Sequence, residues 1–311
     1  MGNINTSTTV VKEKVYKQNR GPKPKKQVLP ITFILPSFIM IFMINLYPTL
    51  SGFVYSVRNG NLIQQGSFVG LHNFTEVLKM QDFWNALQFS LIFSVVSVVG
   101  SYLFGLILAL MLNQDFFGRG FFRVALLVPW IIPSIVSIVS WRWLIGDQTS
   151  LVNEVLGWFH IQPILFLADK TWAIVSVSII KIWRSFPFMM LSLLAALQSA
   201  DDSQYEAAEI DGATSWQKFF YITLPHIKGV TVICWILMTI WSVNDFDTIY
   251  LLTQGGPDYG TENLIILAYR MTFGTNNVGY GAAIAIITLI ILMVIAFVFL
   301  KQQKNTETAE D

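Results

Sequence analysis

Four stretches of this chain carry no charged side chain: 27–57, 83–114, 124–141 and 271–300. A helix needs about 20 apolar residues to cross a bilayer, and in lipid a helix satisfies every backbone polar group within its own segment. Each stretch is therefore read as a membrane span, near 30–56, 87–113, 121–144 and 279–300. Two more reach span length but are interrupted by charge. Residues 171–196 contain Lys181 and Arg184, and 229–251 approach their end at Asp245 and Asp247. Counting both, the fold class is an all-α membrane protein with six transmembrane helices; the alternative is four spans and two re-entrant or interfacial segments. Apolar residues make up 54% of the chain and charged ones 13%, with a mean hydropathy of +0.56, against roughly 25% charged in a soluble domain. That balance excludes a disordered chain, an ordinary soluble enzyme and a nucleic-acid binder. The net charge of +1 gives no bulk pull toward an acidic partner, and the single Cys234 excludes a disulfide framework or a cysteine metal cluster.

Basic residues set the orientation. With six spans, the tail 1–27 lies on the same side as Arg119, Arg123, Lys218, Lys228, Lys301 and Lys304 and brings seven Lys and Arg of its own. The other side holds only Arg58, Lys79, Arg142, Lys170 and Arg270. The expectation is a multi-pass membrane protein with both termini cytoplasmic. The tail 1–27, with Gly21-Pro22-Lys23-Pro24, is expected to be flexible, and 303–311 to be a short acidic tail. The first apolar run is too long for a signal-peptide core and is expected to stay in the protein. Tyr47, Tyr55, Trp141, Trp143, Trp172 and Tyr250, near span ends, read as anchors in the lipid headgroup zone.

Catalytic motifs are missing. There is no G-x-x-x-x-G-K-[ST] loop to cradle nucleotide phosphates, and no G-x-S-x-G, H-E-x-x-H or C-x-x-C. His72, His160 and His226 fall in loops or at a span edge, far apart in sequence. No nucleophile–base pair or metal cluster can be assembled within the spans.

The connection 197–228 is the most specific segment. Ser203-x-x-Glu206 and Thr214-x-x-Gln217 both have the capping-box pattern, and Gly212 stands where a helix ends in a left-handed residue. Two short helices with a hinge follow. Trp216, Phe219 and Phe220 give the second an apolar stripe, and Leu224-Pro225 is expected to stop it and redirect the chain into the next span. The first helix has neither a large apolar face nor a basic one, which argues against its lying on lipid. Small Ala207 and Ala208 leave room for another surface to approach.

Glu206-Ala207-Ala208, followed by Gly212 and then by Ile222-x-Leu224-Pro225, resembles the EAA signature of binding-protein-dependent ABC importer permeases. Glu206-Ala-Ala-Glu-Ile-Asp-Gly-Ala213 is similar to the form of the carbohydrate-uptake branch. Asn244-Asp-Phe-Asp-Thr-Ile-Tyr-Leu-Leu-Thr-Gln-Gly-Gly-Pro257 resembles the fifth-span ending of permeases related to the maltose and glycerol-3-phosphate importers. Gly279-Tyr-Gly-Ala-Ala283 and Asn153-x-x-Leu156 fit less specifically. The resemblance covers about residues 30–300 and implies a permease of the type I importer kind. It also implies a cytoplasmic coupling helix between spans four and five. Glu206, Ala207, Ala208, Gly212, Leu224 and Pro225 would belong to the coupling to an ABC ATPase dimer. Further implied partners are a second, related permease and an external sugar-binding protein. ATP and Mg would be used by the ATPase, and no cofactor would be bound by this chain. The long outer domain and extra spans of some maltose-type members are absent.

Lys181 lies ten residues from Thr171, about 15 Å along a helix and near mid-bilayer, where a charge costs about 2.5–3.5 kcal/mol on insertion scales. Lys181, Arg184 and Phe188 share one helical face, flanked by Trp183 and Ser185. That face should line an aqueous cavity or a subunit contact. Asp245 would lie toward the outer leaflet, near Trp241, Asn244 and Tyr250, with Asp247 two residues on. Carboxylates and amides bond sugar hydroxyls and aromatic faces pack on pyranose rings, so these residues are candidates for a substrate path. The other reading, equally open, is that Lys181 or Arg184 pairs with Asp245 or Asp247 to satisfy charge. The expected function is translocation of a sugar or oligosaccharide by the membrane subunit of an ATP-driven importer. The alternative is a self-contained secondary transporter of a small polar solute.

Overall fold

The computed structural model describes residues 28–307, with side chains described over 34–301. The predicted tail 1–27 and residues 308–311 lie outside the described residues. The chain divides into two units, 1–49 and 50–311. In the first, α1 (Val28–Ile41) runs into one wide π turn at Phe42–Leu46, and its side chains from Ile34 onward are exposed and largely apolar. α2 (Tyr47–Ser56) leads into the second unit.

There a small antiparallel hairpin, β1 (Arg58–Gly60) and β2 (Gln65–Phe68), precedes α3 (His72–Lys79) and the long α4 (Gln81–Asn113). Asn73 fixes the hairpin by donating to the carbonyls of Ser56 and Arg58, both at 2.8 Å. The apolar stretch predicted as span three is not one helix. It forms α5 (Arg119–Ala125), α6 (Val128–Ile131) and α7 (Ser134–Ile145), with an 88° bend between 131 and 134. Pro133 has no N–H to donate and disfavours helix at the preceding residue. Ile132 is accordingly extended, with ψ 132°. α8 (Leu151–Trp158) and α9 (Lys170–Leu197) follow.

After α10 (Asp202–Ile210) the chain re-enters helix at α11 (Ser215–Lys218). It does not stop at Leu224-Pro225 as predicted. The helix continues through a π turn at Phe219–Thr223 into α12 (Leu224–Val243), 29 residues from Ser215 to Val243. Pro225 occupies the first turn of α12, and the wide turn before it accommodates its ring and missing donor. The expected span 229–251 is likewise broken. α12 ends at Val243, Asn244–Phe246 interrupt it, and α13 (Asp247–Leu252) is separate. α14 (Leu264–Tyr269) and α15 (Val278–Glu307) complete the chain, so helix reaches into the predicted tail 303–311. Among the described residues, five helices are long and apolar enough to span a bilayer, six if the bent pair is counted as one.

The α4–α9 pair forms the centre. Ser94, Ser97, Ser101 and Gly105 are buried along α4, Ser90 accepts from the Leu264 N–H of α14, and at Gly105 the lack of a side chain lets the α4 and α9 backbones approach closely. A Cβ on Gly105 would lie 2.8 Å from the Met190 backbone nitrogen. Leu106, Ala109 and Leu112 of α4 pack with Met190, Leu193, Leu194 and Leu197 of α9, and with Ile227 of α12. A second cluster joins Phe89 and Phe93 of α4 to Ile138 of α7, Val177 and Ile180 of α9, and Ile249 of α13.

Candidate functional site

Two regions at different depths hold the candidate residues. The first is the connection after α9. Asp201 caps α10, its side chain accepting from the Ser203 N–H at 3.0 Å. The predicted cap, Ser203 with Glu206, is therefore not used, because an aspartate two residues earlier supplies the acceptor. Those hydrogen bonds hold the Asp201 carboxyl below its usual range. At the other end the Gly212 N–H donates to the Glu209 carbonyl and the Ala213 N–H to the Ala208 carbonyl, at 3.0 and 2.9 Å. Gly212 has φ +77°, the left-handed stop expected there. Thr214 and Gln217 form the predicted capping box. No residue of α10 is buried. Glu206, Ala207 and Gly212 are exposed, and Ala208 is half-buried. Leu224 is half-buried beside the core and Pro225 exposed. Side chains fasten α10 at two points. The Tyr205 hydroxyl lies 3.0 Å from Thr223 Oγ1, and Lys218 Nζ reaches Glu209 Oε1 at 2.6 Å. Ala208, Gly212, Ala213 and Tyr221 help line a groove of about 320 Å³ between the two short helices. Trp216, Phe220 and Tyr221 remain exposed, while Phe219 packs on the core.

The second region lies where α9 meets the break after α12. Lys181 Nζ sits 2.7 Å from Asp245 Oδ2, both buried. Of the pairings left open by the sequence, this is the one formed. The Thr248 hydroxyl donates to Asp245 Oδ2 at 2.9 Å and its N–H to Oδ1 at 3.0 Å. Arg184 Nη1 in turn donates to Thr248 Oγ1 at 3.0 Å. Asn263 caps α14 and donates to the Asp245 carbonyl at 3.0 Å. Asp247 accepts from Ser134 Oγ at 2.8 Å, which ties α13 to the far side of the Pro133 bend.

These bonds split the predicted path. Lys181, Arg184, Phe188 and Trp241 line a cavity of about 160 Å³, together with Trp130, Ser185 and Met238. Phe188 lies 6.2 Å from the Trp130 ring and 5.0 Å from the Trp241 ring. Trp183 instead packs edge-on against Trp141 at 5.5 Å. Tyr250 stacks on Phe246 at 4.8 Å and meets Tyr269. Trp141 and Tyr250, two of the residues read as anchors, are half-buried and make these aromatic contacts. Asn244 is exposed and bonds only the Ile240 carbonyl. Asn153 is buried and clamps its own loop through the Asp147 and Ile164 carbonyls and the Ile164 N–H.

Sequence reasoning missed Trp130, Met238, Thr248 and Asn263. Trp130 had a signal: it lies between Pro129 and Pro133, where an uninterrupted helix is improbable. It also missed a network in the 252–278 connection. Arg270 contacts Glu262 through two nitrogens, at 2.7 and 2.9 Å, reaches Asp82 at 2.8 Å and lies over the Tyr259 ring. Burial pushes the Glu262 carboxyl up, and its hydrogen bonds push the Arg270 guanidinium up.

A helical membrane core, a nearly detached helix between two long ones and a charged, aromatic-walled cavity define a transport subunit. A family described as the binding-protein-dependent transport system inner membrane component matches residues 101–305. The trehalose/maltose transport system permease protein MalF of Thermococcus litoralis is 35% identical over 280 residues, 90% of this chain and 95% of that protein. The trehalose transport system permease protein SugA of Mycobacterium tuberculosis is 30% identical, covering 90% of each. In fold the chain is similar to a chain of a bacterial alginate ABC transporter solved with its alginate-pentasaccharide-bound periplasmic protein. The TM-score is 0.78 at 23% identity, covering 88% of this chain and 93% of that one. The chain belongs to the family of binding-protein-dependent inner-membrane transport components. It is a translocation subunit of an ABC importer and not an enzyme; ATP hydrolysis resides in a separate subunit. That membership decides against the self-contained secondary transporter.

Proposed function

We propose that this subunit carries a neutral di- or oligosaccharide of the trehalose or maltose type across the bacterial cytoplasmic membrane by alternating access. Both termini and α10 are cytoplasmic. α10 seats in a cleft of an ABC ATPase dimer through Glu206, Ala207, Ala208 and Gly212. A second, related permease completes the pathway, and an external sugar-binding protein delivers the solute. ATP and Mg are consumed by the ATPase, and this chain binds no cofactor. The observation that carries the coupling is α10 itself: a helix with no buried residue, strung between α9 and the helix from Ser215 to Val243. Displacing it costs little packing and pulls on both.

The substrate class rests on the trehalose and maltose relatives and on the cavity. Trp130, Phe188 and Trp241 offer ring faces to a pyranose, and Ser185 and Arg184 offer donors. Lys181 is matched by Asp245, while Arg184 donates to the Thr248 hydroxyl and forms no ion pair among the described residues, so the choice of a neutral over an acidic sugar rests on the trehalose and maltose relatives. The test is uptake of labelled trehalose and maltose into proteoliposomes holding both permeases and the ATPase. Accumulation that needs both ATP and the binding protein is expected. Accumulation by this chain alone, or ATP-driven uptake of uronates in preference to neutral sugars, would overturn the reading.

A further inference from the structure

Arg119 and Arg123 stand one helical turn apart on α5. With its amide oxygen turned toward them, Gln198 accepts from Arg119 Nη2 at 2.7 Å and from Arg123 Nη2 at 3.2 Å. Gln198 is the C-capping residue of α9, whose last turn has no basic residue of its own. The two guanidiniums supply positive charge at that negative end of the helix. Asp115 holds Arg119 from the other side at 2.8 Å. The Nε atoms of both arginines are enclosed and bonded to nothing, so the Nη groups are the hydrogen-bonding contacts that orient them. Four residues after Gln198 the chain enters α10.

α5 also begins the broken span. Leu126 and Leu127, just after it, pack on the cluster built around Leu193, Leu194 and Leu197 of α9. α6 then carries Trp130 into the cavity against Phe188. Beyond the Pro133 bend, Ser134 is held by Asp247. The element from Arg119 to Ile132 is thus fastened at the α10 end by Gln198 and beyond its bend by Asp247. Trp130 lies between the two fastenings, about 10 Å along the chain from Arg123.

We infer that Arg119 and Arg123 are positioning residues that latch the broken span to the end of α9, so that displacement of α10 shifts Trp130 in the cavity. The inference rests on the reading of α10 as the ATPase contact. A push on α10 moves Gln198, Gln198 carries both guanidiniums, and the short α5–α6 lever turns about Pro133. Without the latch, α10 still moves the lower ends of α9 and α11, but the wall of the cavity carrying Trp130 is left behind.

The complete transporter in proteoliposomes tests this through solute imported per ATP hydrolysed. Gln198→Leu removes the acceptor and should lower that ratio about tenfold, within the range for residues coupling distant sites. Gln198→Glu keeps an acceptor for both guanidiniums and should restore it. The double variant Arg119→Gln with Arg123→Gln should reproduce the loss. A wild-type ratio in Gln198→Leu or in the double variant overturns the inference. So does loss of the ATPase subunit from the Gln198→Leu complex, which would place Gln198 in docking. Cross-linking of the ATPase to position 206 in the otherwise unaltered chain serves as the separate control. If that cross-link is absent, the reading of α10 fails, and with it this inference.

Discussion

The α10 connection and the ionic cluster between α9 and α13 are both polar, and they are built in opposite ways. No residue of α10 is buried, and its side-chain ties to the rest are one hydroxyl pair and one exposed ion pair. Around Lys181 and Asp245 the polar side chains are bonded chiefly to one another, although Arg184 Nε and Ser242 Oγ beside them are enclosed without a partner. Thr248 and Asn263 are enclosed with them, and Ile180 and Ile249 pack alongside. Polar groups on α10 exchange a protein partner for water at little cost when the helix moves. Those of the cluster would have to move together or be left unpaired in a medium where that is expensive. Motion is therefore expected at α10, at the last turn of α9 that leads into it and in the broken segments, while the rest of the α4–α9 pair and its charge cluster serve as the frame.

The comparison breaks if the frame tolerates loss of a partner. Lys181→Met leaves the Asp245 carboxylate buried without its counter-charge, which should cost about 3–5 kcal/mol. The complex should then lose its folded permease on mild heating in detergent. Lys181→Met combined with Asp245→Leu should recover most of that loss, since a matched apolar pair is often neutral. A single variant as thermostable as the unaltered protein would mean that the pair anchors nothing. Next in size is Gly105→Val. Its side chain would meet the backbone at Met190 and force α4 and α9 apart, at about 1–3 kcal/mol. Thermal unfolding near that of the unaltered protein would show the interface to be slack.

The parts legible in the sequence were those that local chemistry decides. Gly212 ends α10 and Thr214 with Gln217 starts α11 because those signals act within one turn. The start of α10 was misplaced because two capping residues, Asp201 and Ser203, stand close together and the pattern alone does not rank them. Apolar run length fixed where helices cross but could not tell a straight span from a bent one. The run 124–141 is long enough, yet Pro133 breaks it and brings Trp130 inward. Pro225 misled in the other direction, since a π turn lets the helix continue. The pairing of Lys181 with Asp245, rather than Arg184 with Asp247, depends on how the chain unwinds at Asn244–Phe246. Nothing within a few residues of either partner sets that.

The smallest expected effect sharpens the other side of the comparison. Lys218 donates to Glu209, and that hydrogen bond with its charge holds the Glu209 carboxyl below its usual range. The folded-state value is thus lower than that of the opened loop, where a free glutamate titrates near about 4.3. The contact therefore stabilises the closed loop above that value and is lost as pH falls through the lower folded one. Hydrogen exchange of amides between Glu209 and Lys218, corrected for intrinsic rates, should be level from neutral pH down to about 5 and rise only below about 4. Exchange in α4 and α9 should not follow it. Lys218→Gln should raise exchange in the loop at neutral pH, erase the acid step and leave thermal unfolding unchanged. If the acid step survives in Lys218→Gln, the ion pair is not what fastens α10, and the Tyr205–Thr223 contact becomes its main tether.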